Sequence, residues 1–323
     1  MLLAFAAILL GFIIMMYSAD WFVQGAASLA DLWGMSKLMI GLTIVAFGTS
    51  APEIIVSLMA ALNGSAALAV GNALGSNLAN VGLVIGLTAL IAPLAVNKSL
   101  IRSELPVLIL VYLIAGYTLF DQTITWLDSA ILLTTLIAFI FYLYFKQRSD
   151  HKIDHPEEED EVGELIGLSL SKACFYLVGG LLLLLASAEI LVWGAIQLAK
   201  SIGVPELIIG LTIVAVGTSL PELAASVASA KRGHYEIAFG NVIGSNTFNL
   251  LVVMAMPGLV GTQTLSKDVF SRDYTAMILI SGLWMAFMSV CYLRKNTFNR
   301  WMGTALLLSY AAYYVLLAGH IAA

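Results

Sequence analysis

Residues 41–80 and 210–249 are two copies of one sequence. Aligned without a gap, 21 of 40 positions are identical, and every pairing is offset by 169. GLTIVAFGTSAPEIIVS at 41–57 returns as GLTIVAVGTSLPELAAS at 210–226, and GNALGSNLAN at 71–80 returns as GNVIGSNTFN at 240–249. The register continues upstream, pairing Gly34 with Gly203, Gly25 with Gly194 and Asp20 with Glu189. Shared composition alone does not hold such a register, so the chain is built from two related halves. Each copy also places a glutamate, Glu53 or Glu222, beside a proline in an otherwise apolar run.

The solvent for those halves is lipid. Of 323 residues, 60% are hydrophobic and only 11% are charged, against about 25% charged in soluble domains. The net charge is −5, yet eight of the twenty acids fall within 150–164, DHKIDHPEEEDEVGE. Elsewhere the balance is slightly basic, which gives no footprint for nucleic acid. Cys174 and Cys291 stand alone in apolar runs and read as small hydrophobes. The N-terminal apolar run has no basic residue ahead of it, as expected of a retained spanning helix rather than a cleaved signal.

Runs of membrane length predict an all-α integral membrane protein with ten spans, near 1–30, 36–62, 66–94, 104–119, 125–146, 170–199, 207–231, 235–262, 273–293 and 300–319. With the N-terminus outside, twelve lysines and arginines fall in cytoplasmic loops and three, Lys200, Lys267 and Arg272, in outer ones. That bias places both termini outside and the acidic 147–169 segment in the cytoplasm as a solvated linker. It divides the chain into a five-helix repeat at 1–146, the linker, and a second five-helix repeat at 170–323. Five is odd, so the halves enter the membrane in opposite directions. Inverted-topology repeats characterise secondary transporters, whose sites sit near the midplane on interrupted helices.

The repeated motifs carry chemistry suited to that place. Pro52 has no N–H to give the carbonyl of Gly48, and its ring crowds that carbonyl, so the second span must break there; Pro221 and Gly217 repeat the arrangement. A charge at the bilayer centre costs roughly 2.5–3.5 kcal/mol on insertion scales, and an intramembrane acid ordinarily marks an ion or proton pathway. Ser76 and Asn80 are four residues apart and share a helical face, as do Ser245 and Asn249. Carboxylates, hydroxyls, amide oxygens and freed carbonyls are hard oxygen ligands, which suit calcium better than a transition metal. Taken singly the features have plainer readings: the glycines as packing positions, the Thr-Ser pairs bonded to their own helix. Joined and duplicated in register, they point to an ion site. Asp20 and Glu189 lie far along the first and sixth spans and read as interfacial. The four histidines fall in loops or at the terminus.

At these residues the chain resembles the cation/calcium exchanger superfamily, and most of all prokaryotic sodium/calcium exchangers. The paired G-T-S-x-P-E and G-N-x-x-G-S-N signatures carry the likeness. The resemblance implies a core of spans two, three, seven and eight, against which long tilted spans one and six slide to alternate access. It implies a calcium site of Glu53 and Glu222 with Thr49 and Thr218. It implies sodium sites at Ser50, Ser76, Ser219 and Ser245, helped by the carbonyls of Ala46 and Ala215, and a central position at Asn80 and Asn249. Some prokaryotic relatives carry aspartate where this chain has Asn249, so the pocket here holds two acids. One calcium or two protons would neutralise them; three sodium ions would leave one positive charge. Loading calcium and sodium together would bury uncompensated charge, so the two should exclude each other.

The expected function is therefore an antiporter exchanging Ca2+ for Na+, with a Ca2+/H+ antiporter on the same glutamates as the alternative. It needs no cofactor, and one chain in the plasma membrane, or inner membrane of a two-membrane bacterium, suffices beside its lipid. A channel is less consistent with a repeat folded within one chain. An enzyme would have two glutamates alone, since neither H-E-x-x-H nor G-x-S-x-G occurs.

Overall fold

The computed structural model describes residues 1–150, 168–202 and 215–322. Most of the acidic linker, including His151 and His155, and the start of the seventh predicted span lie outside the described residues.

The described chain is helical. In order come α1 (Leu2–Trp33), α2 (Lys37–Thr49), α3 (Ala51–Leu62), α4 (Ala66–Ile91), α5 (Leu100–Leu119), α6 (Trp126–Arg148), α7 (Leu170–Ser201), α8 (Ala215–Thr218), α9 (Leu220–Lys231), α10 (Tyr235–Val260), α11 (Val269–Arg294) and α12 (Arg300–Ala322). Among the described residues eight helices are long and apolar enough to cross a membrane, and the bent pair α2–α3 makes a ninth. Of the remaining expected span, the seventh at 207–231, the described parts are α8 and α9. The chain is not wholly helical: Thr123–Ile124 (β1) pairs antiparallel with Gln263–Thr264 (β2), and Leu94 bridges Phe298. Loop backbone at the helix ends must find partners, and these short ladders supply them.

The two breaks fall where proline sets them. The helix of α2 stops at Ser50 (φ −80°, ψ 3°), and α3 leaves at 46° to it. Ser219 (φ −89°, ψ 4°) separates α8 from α9 in the same way. In each case proline occupies the first turn of the following helix, where its missing N–H costs nothing.

Helices α1 and α7 have 32 residues each, about 48 Å at 1.5 Å per residue, longer than a hydrocarbon core of about 30 Å. They run antiparallel and touch through glycine. Gly11 lies against Ser187 and Leu191, Gly180 against Phe22, Gly25 against Tyr176 and Leu177, and Gly194 against Ala4 and Ala7. Gly11 and Gly180 are repeat-related, as are Gly25 and Gly194, so the crossing is made twice by the same residues.

The innermost helices are α4 and α10. In them 72% and 83% of the most apolar stretch is buried, against 17% in α12. Gly240 and Gly244 of α10 let α2 approach until its backbone at Leu38 and Leu42 would obstruct any side chain there. Outward, Leu2, Tyr117, Leu293, Trp301 and Val315 are largely exposed, the apolar skin of a protein in lipid.

Candidate cation site

The breaks bring two acids into the middle of this bundle. Glu53 stands in the first turn of α3 and Glu222 in the first turn of α9. Helix N-termini favour negative charge, so each carboxylate sits where the backbone field stabilises it. Both are 0% exposed, and Glu53 lies near enough to Glu222 to feel its charge. Neither oxygen of Glu53 has a hydrogen-bond partner among the described residues, nor has Oε2 of Glu222.

The other expected residues divide clearly. Ser50 Oγ donates to Glu222 Oε1 at 3.2 Å. Thr49 Oγ1 donates to Asn241 Oδ1 at 3.1 Å and reaches the carbonyl of Ala46 at 3.4 Å. Thr218 lies beside Glu53, and Thr49 and Ser245 lie beside Glu222. Asn80 donates from Nδ2 to Asn246 Oδ1 at 3.1 Å, leaving its Oδ1 without a partner. Ser219 Oγ, Ser245 Oγ and both amide atoms of Asn249 are likewise buried and unpartnered. Ser76 is buried. The carbonyl of Ala46 also accepts the Ser50 N–H at 3.0 Å. Ala215 opens α8, and the residues before it lie outside the described ones.

A buried polar atom without a partner costs about 1–3 kcal/mol. Here such atoms gather on repeat-related residues, and all but the amide nitrogen of Asn249 are oxygens. A dehydrated hard cation needs oxygens of this kind. Among the described residues no cluster of three His, Cys, Asp or Glu occurs, so the donor set remains two carboxylates among neutral oxygens.

Several supporting residues escaped the sequence reading. Asn72 Nδ2 donates to the backbone carbonyl of Glu53 at 3.1 Å and to Ser57 Oγ at 2.9 Å. Asn241 Nδ2 does the same to Glu222 at 3.3 Å and Ser226 Oγ at 3.1 Å. These bonds pin the first turns of α3 and α9 to α4 and α10. The signal for them was present, because Asn72 and Asn241, and Ser57 and Ser226, are identical at the 169 offset. Less legible are the wide π-helical turns at Asn80–Ile85 and Asn249–Val253. Such turns recur at functional sites, where the extra residue re-aims side chains.

Asp20 and Glu189 are not part of this cluster. Arg232 holds Asp20 through two nitrogens, at 3.0 and 2.9 Å, and Glu189 is exposed. Asp20→Asn is expected to cost at most about 1 kcal/mol, as partly exposed ion pairs do, and to leave cation exchange intact. Thermal melting and flux on the same preparation check both parts. A cavity of about 700 Å³ lies between α1, the end of α4 and α9, with Met15, Asp20, Leu87, Leu223 and Lys231 among its walls.

The chain as a whole is similar to known proteins. A sequence model of the family described as sodium/calcium exchanger protein matches residues 3–145 and 172–319. CaxA of Alkalimonas amylolytica is 41% identical over 318 residues, which cover 98% of this chain and 99% of that protein. Inner membrane protein YrbG of Escherichia coli (strain K12) is 36% identical over 308 residues, 95% of this chain and 94% of its own. A solved structure of the sodium-calcium exchanger NCX_Mj, soaked with 10 mM Na+ and 10 mM Sr2+, matches with a TM-score of 0.80 at 32% identity, over 97% of this chain and 98% of that one.

Proposed function

The chain belongs to the sodium/calcium exchanger protein family, and from that premise we propose that it is an antiporter moving Ca2+ one way across the membrane and Na+ the other. The observation that carries this reading is the pair of fully buried carboxylates, Glu53 and Glu222, with three of their four oxygens unpartnered, in a bundle that also buries unpartnered oxygens on Asn80, Ser219, Ser245 and Asn249.

In this reading calcium is held by Glu53 and Glu222 with Thr49 and Thr218. Sodium takes the flanking oxygens of Ser50, Ser76, Ser219 and Ser245 with the carbonyls of Ala46 and Ala215, and Asn80 and Asn249 line the centre. Two carboxylates neutralise one calcium. Adding sodium to the loaded pocket would bury net positive charge at low dielectric, so the ions compete. That competition is what couples their movements.

Alternating access requires two arrangements of the helices around one site. The ten spans are read as two inverted halves, 1–146 and 170–323, joined by the 147–169 linker, with both termini outside. The match of the family to 3–145 and to 172–319 and the twice-made glycine crossing of α1 and α7 support that division. Movement of α1 and α7 across α3 and α9 would open the site to one side at a time. The cavity already present between α1 and α9 is the space such a movement would change. The membrane is read as the plasma membrane, or the inner one of two, in keeping with the name of the Escherichia coli relative.

Flux into sealed proteoliposomes tests the proposal. Vesicles loaded with sodium are expected to take up calcium only while sodium leaves. Uptake driven by a pH gradient and indifferent to sodium would replace the counter-ion by protons, which the charge count of two acids also allows. Uptake with no counter-ion at all would make the protein a channel.

A further inference from the structure

Three hydrogen bonds beginning at Asn80 form one buried chain across four helices. Asn80 Nδ2 on α4 donates to Asn246 Oδ1 on α10 at 3.1 Å. Asn246 Nδ2 donates to the hydroxyl of Tyr112 on α5 at 3.2 Å. That hydroxyl lies 3.1 Å from Ser281 Oγ on α11. All four side chains are buried. The Tyr112 backbone is fixed in turn, because its carbonyl accepts the Tyr274 hydroxyl at 2.8 Å.

An amide has one donating end and one accepting end. With Nδ2 committed to Asn246, Asn80 leaves Oδ1 free, and that oxygen is buried without a partner. The reversed amide would offer a cation two N–H groups and repel it. The other half shows what happens without the chain. Tyr112 and Ser281 are related by the 169 offset, as are Asn77 and Asn246. Serine ends several ångströms short of where a tyrosine hydroxyl reaches. Asn77 Nδ2 turns instead to the Ala73 carbonyl of its own helix at 2.8 Å, and both ends of the Asn249 amide stay unpartnered.

We propose that Tyr112, donating to Ser281 Oγ and accepting from Asn246 Nδ2, is a positioning residue that through Asn246 holds Asn80 with its carbonyl oxygen toward the transported cation. Asn80 is then a fixed oxygen ligand, and Asn249 is one that can turn. The inference rests on the antiporter reading above.

Tyr112→Phe keeps the ring and removes the hydroxyl. Calcium uptake by proteoliposomes holding a fixed sodium load is measured against external calcium. The KM for calcium is expected to rise about tenfold, the lower range for losing support behind a metal ligand, with kcat within about twofold. Asn80→Asp supplies the control, because a carboxylate presents oxygen at both ends and needs no orienting. In that background, adding Tyr112→Phe is expected to change KM by less than about twofold. An equal rise in both backgrounds would make Tyr112 a merely structural residue and overturn the proposal. So would an unchanged KM in the single variant. Unaltered protein that takes up no calcium under any gradient would sink the antiporter reading, and this inference with it.

Discussion

Glu53→Gln and Glu222→Gln are each expected to abolish calcium exchange while leaving the protein folded. Glutamine has the shape of glutamate without its charge. With one carboxylate left, a bound calcium carries one uncompensated positive charge in a site sealed from water. Removing one partner from a buried charge pair costs about 3–5 kcal/mol, and 3 kcal/mol is already more than a hundredfold in affinity. The sign for the ion-free protein is opposite. Two acids that are 0% exposed, with three of four oxygens unpartnered, are a liability when no cation joins them. In chelator the variants should therefore melt no lower than the parent. Calcium at a hundred times its dissociation constant should stabilise the parent by about 2.7 kcal/mol and the variants hardly at all. Calcium-dependent stabilisation surviving in either variant would remove that glutamate from the site. A variant that melts early in chelator would show that folding, not binding, had failed.

Much of the candidate site was legible because its cause is local. Proline without an N–H breaks a helix whose interior it would occupy, so the breaks at Ser50 and Ser219 follow from Pro52 and Pro221. A carboxylate in an apolar run must find company, so Glu53 and Glu222 follow from cost alone. Other features depend on what packs where. The π-helical turns at Asn80 and Asn249 have no local code. The asymmetry of the site was hidden by the repeat itself. Ser50 and Ser219 are identical in sequence, yet the Ser50 hydroxyl bonds Glu222 and the Ser219 hydroxyl bonds nothing among the described residues. Asn80 and Asn249 are identical too, and they differ because Tyr112 in one half is Ser281 in the other. Two copies of a motif predict a symmetric site; helices outside the motif decide how far that symmetry survives.

Gly180→Ala is expected to damage the protein, and Gly179→Ala, one residue earlier on the same helix, to leave it intact. A methyl group at Gly180 would lie 2.5 Å from the backbone nitrogen of Phe22 and 2.8 Å from its Cα. Real Cβ atoms do not approach so closely, so α1 and α7 would have to part by most of an ångström. Their contact extends over much of both helices, and the whole seam would loosen. Overpacking of this kind typically costs about 1–3 kcal/mol. The gain in helix propensity from glycine to alanine returns at most about 1 kcal/mol. At Gly179 the added carbon meets no described atom within 4 Å beyond its own stretch of helix, so only the propensity gain remains. Thermal melting in detergent should show Gly180→Ala lower by a few degrees and Gly179→Ala equal or higher. The obstruction at Gly180 is backbone, which sharpens the test. Trimming Phe22 to alanine removes side-chain atoms and leaves the nitrogen and Cα in place, so the double variant should not recover. Recovery in the double variant, or equal losses at 179 and 180, would mean that α1 and α7 are not in backbone contact there.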